Sequence, residues 1–446
     1  MPKVHRPRFG VAARVIGGLL AMVTAGTLIL MLPPMGAERA LTFAEAAFTA
    51  VSALTVTGLT VITPATDLSP LGQWTLLLLI QLGGVGYVVL AVVVFHLLGR
   101  QISLADRLSL RDALGVLSTR GIAQLAQKVF AGVLAIEMAG AVALYLHWSR
   151  LYEDPNLPFV ALFHAVAAFC NAGFETFTGN PQYPNGVPVD GLSLLIKGVL
   201  IVMGGLGIPV LYELFSLRRR NRLSLHSRLT LKISAILVVW GAFALWISES
   251  RPGNVLDGLP LFRQIEIALF QSVSCRAAGY VGMPAFETID PASQLLIVTL
   301  MAIGCAPASM GGGLTTGTLL VMVLALAAYL RGQSTPIVGG RAIPGEMVRK
   351  AAAVLTISLF AVLTSAWLLM LTHPVSFELA IFEAVSAFAT SGLTLGFTQE
   401  LNGYGLAIVM MLMLWGRLGA LTLLVILTRP RAERRLTYPE EKILIG

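Results

Sequence analysis

The chain has 446 residues, 56% hydrophobic and only 12% charged, which is far more apolar content than a soluble core of that size needs and marks an integral membrane protein. Its formal net charge of +8 raises nucleic acid as a partner, and the placement of the charges excludes it. Segments 1–14, 99–128, 216–232, 331–350 and 429–446 hold 24 of the 31 Lys and Arg but 6 of the 23 Asp and Glu, the positive-inside pattern of a multi-pass chain with both termini cytoplasmic.

In chain order, residues 11–32 follow the basic "PKVHRPRFGVAAR" and could pass for a signal peptide. Their length, and their place as the opening element of a repeat, make them a spanning helix instead. Next comes "FAEAAFTAVSAL" (43–54), about half the length needed to cross a hydrocarbon core of about 30 Å, and then Gly58. The same half-length apolar segment returns as "FVALFHAVAAFC" (159–170) before Gly173, "IEIALFQSVSCR" (265–276) before Gly279 and "FELAIFEAVSAF" (377–388) before Gly392. Phe48, Phe163 and Phe382 stand ten residues before their glycines and Phe270 nine; Val51, Val166 and Val385 stand seven before and Val273 six. The third copy therefore lacks one residue between helix and glycine.

After each glycine come a polar loop and a long apolar helix carrying a second signature: "LGGVG" (82–86), "MGGLG" (203–207), "IGCAP" (303–307) and "WGRLG" (415–419). Two signatures recurring four times in register, with a period of about 110 residues, mark a tandem array. The expected fold is all-α and membrane-embedded. It has four helix, pore-loop, helix repeats at 1–98, 99–217, 218–330 and 331–446, the last with a cytoplasmic tail, giving eight spanning helices and four re-entrant half-helices around one pore. Non-helical backbone at membrane depth is tolerated only where it lines a cavity or is buried in protein. Four half-helices aiming their C-terminal ends at one point favour a cation. The turns "TVTG" (Thr55, Val56, Thr57, Gly58), "CNAG" (Asn171, Ala172, Gly173), "RAAG" (Ala277, Ala278, Gly279) and "ATSG" (Thr390, Ser391, Gly392) offer carbonyls and hydroxyls but no acids. That chemistry replaces the water of a weakly hydrated monovalent cation; a divalent site would favour carboxylates.

The order of these elements, with "SALTVTGLT", "FCNAGF", "SVSCRAAGY" and "FATSGLT", resembles the Trk/Ktr/HKT superfamily of potassium transporters over essentially the whole chain, and its length resembles the KtrB type of membrane subunit. That resemblance implies a plasma-membrane subunit that conducts K+, with Gly58, Gly173, Gly279 and Gly392 forming the filter and Na+ as a candidate activator. It also implies a homodimer docked on a cytosolic nucleotide-binding ring of the KtrA/TrkA type. Membrane lipid is the remaining partner, and no organic cofactor or nucleic acid is expected.

The third copy's second helix is interrupted by "GCAPASMGGGLTTGT" (304–318). Pro307 removes a helix donor, and Gly311, Gly312 and Gly313 each cost about 1 kcal/mol of helix propensity relative to Ala. Only this copy is expected to be broken, and broken helices at midplane commonly line a pathway. The resemblance makes this loop a gate, comprising Gly304, Pro307, Ala308, Ser309, the three glycines and Thr315, where the family often has lysine. Arg417 replaces the second glycine of the signature in the fourth copy. A charge at that depth needs a partner or water; it is read as a positive barrier below the filter, or as a structural pair with a filter-loop carbonyl or Glu213. Arg276 is expected to buttress the third pore loop from behind.

Glu137 and Gln81 are polar residues expected to face neighbouring helices. His96, His147 and His164 lack zinc spacing. Cys170, Cys275 and Cys305 are read as small core residues. No HExxH, P-loop, dinucleotide fingerprint or nucleophile elbow is present, so an enzyme is not expected, and nucleotide sensing falls to another chain. Residues 99–124 and 331–350 form a candidate docking surface for it. The competing class is a Na+- or H+-coupled symporter with alternating access, which would need a coupling group at midplane and typically inverted repeats.

Overall fold

The computed structural model describes residues 9–86, 122–216 and 222–419. His96, nearly all of the candidate docking loop 99–124, and the basic tail lie outside the described residues. The elements in order are α1 (Phe9–Leu30), α2 (Phe43–Thr55), α3 (Pro70–Val85), α4 (Ile122–Trp148), α5 (Leu157–Phe169), α6 (Gly191–Gly205), α7 (Ile208–Phe215) and α8 (Leu225–Glu249). They continue as α9 (Leu261–Ser274), α10 (Pro291–Ile303), α11 (Thr316–Leu330), α12 (Gly345–Thr372), α13 (Phe377–Ala389) and α14 (Gly403–Leu418). The strands described are one short hairpin, β1 (Ile337–Val338) antiparallel to β2 (Arg341–Ala342).

Helices α2, α5, α9 and α13 are the half-length segments, 13, 13, 14 and 13 residues long. At 1.5 Å per residue they reach about 20 Å, two-thirds of a hydrocarbon core. Local chemistry starts them sharply. In α2 the Thr42 hydroxyl accepts the Glu45 N–H while the Glu45 carboxylate accepts the Thr42 N–H, a capping box; in α13 the Ser376 hydroxyl accepts the Leu379 N–H. From Ala46 to Thr55 every residue of α2 is buried, so protein surrounds its inner part on all sides.

The helices that follow the half-helices depart from expectation. Rather than in one copy alone, the helix stops or turns at or next to its glycine signature in all four. Gly86, Gly207, Gly304 and Gly419 have φ of 85°, 85°, 52° and 77°, which no α-helix accommodates. Helix α3 therefore ends at Val85 and α14 at Leu418, short of the continuous 74–98 and 403–428 helices, and α7 leaves α6 at a bend of 107°. Apolar composition runs straight through these glycines, so hydropathy alone does not register the turn. Among the described residues, α4, α8 and α12 are long and apolar enough to cross a membrane singly, and α6 with α7, bent by 107°, reaches that length and composition only when the pair is counted as one span. The described helices α3, α10, α11 and α14 are each shorter than a span.

Packing closes on itself. Helix α3 lies on α5, α6 on α9, α10 on α13, and α14 back on α2. Each post-glycine helix thus packs against the half-helix of the next copy, and the fourth returns to the first, which brings the four half-helix C-termini to one place.

Candidate functional site

Three of the four half-helices end alike. Val56, Asn171 and Thr390 adopt left-handed φ of 57°, 58° and 51°. One residue on, the N–H groups of Thr57, Ala172 and Ser391 bond back to the carbonyls of Ser52, Ala167 and Ser386 at 2.8, 2.8 and 2.9 Å. This is the six-to-one bond of a Schellman turn, held in two cases by β-branched residues that rarely occupy this region. The third differs: Ala278 N–H bonds four residues back, to Ser274 at 2.8 Å, with no left-handed residue before Gly279. The residue missing from the third copy is the one that makes the Schellman turn elsewhere.

The turns place Gly58, Gly173, Gly279 and Gly392 in a closed cycle. A Cβ built on Gly58 would lie 2.4 Å from the Ala172 carbonyl oxygen, and one on Gly173 2.9 Å from that of Ala278. One on Gly279 would lie 2.5 Å from the Ser391 carbonyl oxygen, and one on Gly392 2.0 Å from that of Thr57. Each glycine also has positive φ, from 70° to 92°, so both conformation and space exclude a side chain.

The side-chain hydroxyls of these turns are engaged with protein, not held free for an ion as their composition led one to expect. Thr55 Oγ1 lies 2.7 Å from both the Val51 carbonyl and Thr57 Oγ1. Thr390 Oγ1 accepts the Gly312 N–H at 2.8 Å, and Ser391 Oγ donates to the Cys275 carbonyl at 2.9 Å. In the orientation that satisfies its neighbours, the Asn171 amide donates to the Ala168 and Ile201 carbonyls. The backbone carbonyls are the donors of electron density left to the centre.

Residues 304–315 lie directly against this ring. Positions for a Cβ on Gly311, Gly312 and Gly313 fall 2.8 Å from Ala277 Cβ, 2.7 Å from Thr390 Oγ1 and 2.8 Å from Ala389 Cα, so three glycines in a row reflect three close approaches. The loop is stitched to two other copies. Ala306 and Met310 N–H bond the Gly205 and Gly204 carbonyls at 3.0 and 3.1 Å, and the Gly313 N–H bonds that of Gly416 at 3.2 Å. Ala308, itself left-handed at φ 55°, accepts the first N–H of α7, that of Ile208, at 3.0 Å. Its neighbour Pro307 places its carbonyl oxygen 2.6 Å from a Cβ built on Gly207. Thr315 caps α11 through the Thr318 N–H, and buried Ser309 Oγ has no partner among the described residues.

Arg417 joins the loop to the first copy. Its guanidinium donates to the carbonyls of Met310, Gly83 and Gly84, so a single charge is shared by carbonyls from the loop and from the end of α3. These carbonyls belong to the loop and to the end of α3 rather than to a filter turn, and Glu213 accepts from Ser224 N–H at 2.9 Å. Arg276, 7% exposed, donates to the Gly304 carbonyl at 3.0 Å, linking the end of the third half-helix to the start of the loop. Glu137 accepts from the Gln81 amide at 3.0 Å and from the Cys170 thiol at 3.7 Å. His147 pairs with Asp190 at 2.8 Å.

Two sets of residues were not anticipated. Ser52 Oγ accepts the Gly58 N–H at 3.0 Å, and Ser274 Oγ donates to the Tyr280 carbonyl at 2.6 Å; a serine after the repeated Val in three copies was the available signal. Lys197, fully buried in α6, donates to the Pro188 carbonyl at 3.2 Å and lies over the rings of Phe270 and Tyr280, 5.7 and 5.5 Å from their centroids, a cation–π arrangement. Tyr280 Oη in turn donates to the Phe174 carbonyl at 3.0 Å, tying together the residues that follow Gly279 and Gly173. A lone lysine in an apolar helix with no repeat counterpart carried no pattern to read.

The sequence profile of the family described as "TrkH: Cation transport protein" matches residues 18–433. The chain belongs to the TrkH family of cation transport proteins. It is therefore a transporter of the membrane, not an enzyme. It is 32% identical to the Ktr system potassium uptake protein B of Bacillus subtilis (strain 168), covering 96% of this chain and 95% of that one. Identity to the Ktr system potassium uptake protein B of Vibrio alginolyticus is 33%, over 94% of this chain and 91% of that one. The potassium/sodium uptake protein NtpJ of Enterococcus hirae is 30% identical over 100% and 99% of the two chains. Among solved structures, the potassium transporter TrkH from Vibrio parahaemolyticus shares the fold, with a TM-score of 0.74 at 22% identity over 96% of this chain and 86% of that one.

Proposed function

We propose that this chain is the K+-conducting membrane subunit of a Ktr-type uptake system, built as four units in the sequence repeats 1–98, 99–217, 218–330 and 331–446, with eight crossings around one pore. The observation that carries this reading is the closed cycle of four glycines, each lying against the carbonyl of the residue before the next. A cation on the cycle's axis exchanges its water for the carbonyls of Thr57, Ala172, Ala278 and Ser391 and their neighbours. The four half-helix C-termini aimed at the same point add partial negative charge. Below the ring, loop 304–315 blocks the path, and Arg417 both anchors the loop and sets a positive barrier beside it. Opening requires Arg417 to release the Met310 carbonyl and Gly312 to leave Thr390. The names of the relatives, Ktr system potassium uptake and potassium/sodium uptake, support K+ as cargo, a link to Na+ and a place in a multi-component Ktr system. The proposal adds to these Na+ as an activator and a homodimer controlled by a cytosolic nucleotide-binding ring of the KtrA/TrkA type, with both termini on that side.

The test is K+ uptake with Na+ as competitor in a potassium-uptake-deficient cell, beside the cytosolic partner, comparing wild type with Gly58→Ser. Restored growth at low K+ and a loss of K+ preference in the variant are expected. Equal behaviour of the two would overturn the reading and bring forward a coupled carrier, for which Glu137 is poorly suited because Gln81 and Cys170 already engage it.

A further inference from the structure

The residue after each repeated Phe is polar in all four half-helices: Thr49, His164, Gln271 and Glu383, each no more than 1% exposed. A polar group in that setting is costly unless bonded, and its partners lie on the strand that leaves the ring. Gln271 Oε1 accepts the Gly282 N–H at 2.9 Å. His164 Nδ1 donates to the Val160 carbonyl at 2.8 Å, leaving Nε2 to accept the Thr176 N–H at 3.4 Å. Thr176 and Gly282 are both the third residue past their ring glycines. Glu383 makes the fullest set: one carboxylate oxygen accepts from Thr394 Oγ1 at 2.9 Å and the other from Thr398 Oγ1, the second and sixth residues past Gly392. Thr49 Oγ1 has no partner among the described residues.

We infer that Glu383 is a positioning residue for cation selectivity, holding the fourth strand through Thr394 and Thr398 so that the carbonyls around Gly392 keep the spacing that favours K+ over Na+. The ties made by this position are graded around the ring: two hydroxyls onto a carboxylate in the fourth copy, one backbone N–H in the second and third, and none in the first. A carboxylate holding two hydroxyls makes stronger, more directional bonds than a neutral acceptor. This position makes its fullest set of bonds in the copy whose glycine is most crowded, Gly392 against the Thr57 carbonyl. This inference rests on the ring being the filter.

The experiment measures K+ uptake against Na+ competition in vesicles containing equal amounts of inserted protein. Thr394→Val and Thr398→Val, which remove one donor each at nearly constant shape, are expected to lower the K+ over Na+ preference several-fold, and the double variant about tenfold. Glu383→Gln, which keeps one good acceptor, is expected to fall between wild type and Glu383→Ala. Thr49→Ala, at the matching untied position, is expected to leave the preference unchanged. Wild-type preference in the double threonine variant, or an equal loss in Thr49→Ala, overturns the inference; the threonine variants decide it if Glu383→Ala fails to insert. A Gly58→Ser variant with unaltered preference removes the filter reading itself. Altered preference in Gly58→Ser beside unaltered preference in the double threonine variant removes only the role of Glu383.

Discussion

The third repeat and the other three solve the same problem differently. Copies one, two and four turn the chain with a left-handed residue and a Schellman bond, and stop the following helix at a single positive-φ glycine. Copy three continues its helical bonding one residue further, dispenses with the left-handed residue, and opens the following helix into the loop between Gly304 and Thr315. Its Gly304 faces the Leu314 carbonyl of that loop, whereas Gly83, Gly204 and Gly416 of the other copies press on half-helix carbonyls of Leu54, Phe169 and Phe388. In the proposed reading, copies one, two and four hold the ring and copy three also supplies the obstruction.

Substitutions that test the ring itself should have the largest effect. Gly392→Ala places a methyl 2.0 Å from the Thr57 oxygen and should abolish selective uptake, whereas Gly173→Ala, with 2.9 Å to the Ala278 oxygen, should retain more of it; uptake assays on the four alanine variants check whether loss follows crowding. Next in size is Arg417→Ala, which removes the charged donor from the loop. Hydrogen bonds to charged groups contribute about 1.5–3 kcal/mol each, so cation flux in the resting state should rise about tenfold or more, read as leak in vesicles. An inactive, uninserted protein would instead favour a purely structural Arg417. Thr390→Val takes away the acceptor of the Gly312 N–H. A neutral hydrogen bond of about 1 kcal/mol predicts a severalfold rise in leak, with no such change in Thr55→Val, whose hydroxyl never touches the loop. The smallest effect belongs to Thr42→Ala, which opens the capping box of α2 at a cost of about 1 kcal/mol; thermal unfolding in detergent should report it while cation preference stays as in wild type.

Much of this arrangement was legible in the sequence because it repeats. The half-helices expected at 43–54, 159–170, 265–276 and 377–388 lie within a few residues of α2, α5, α9 and α13, since an apolar run ending at a glycine is a local signal repeated four times. The breaks at Gly86, Gly207 and Gly419 were not legible. Each lies within a continuous apolar stretch, where a glycine is compatible with either a helix or a left-handed turn and only tertiary contact decides. The partners of Arg417 were hidden for another reason: they are backbone carbonyls, which every residue has, and Gly83 lies 334 residues away in sequence. The polar residues after each Phe escaped notice because they share burial and position but not residue type.

Because one chain supplies all four walls of the ring, a substitution alters one wall and leaves three as they were. In an assembly of four identical subunits every change at such a position would be made four times at once, and most would be lethal to the opening. Here the crowding at each glycine, from 2.0 to 2.9 Å, can drift separately, so, if the ring is the filter proposed above, sequence change can adjust in small steps how strictly it discriminates a cation.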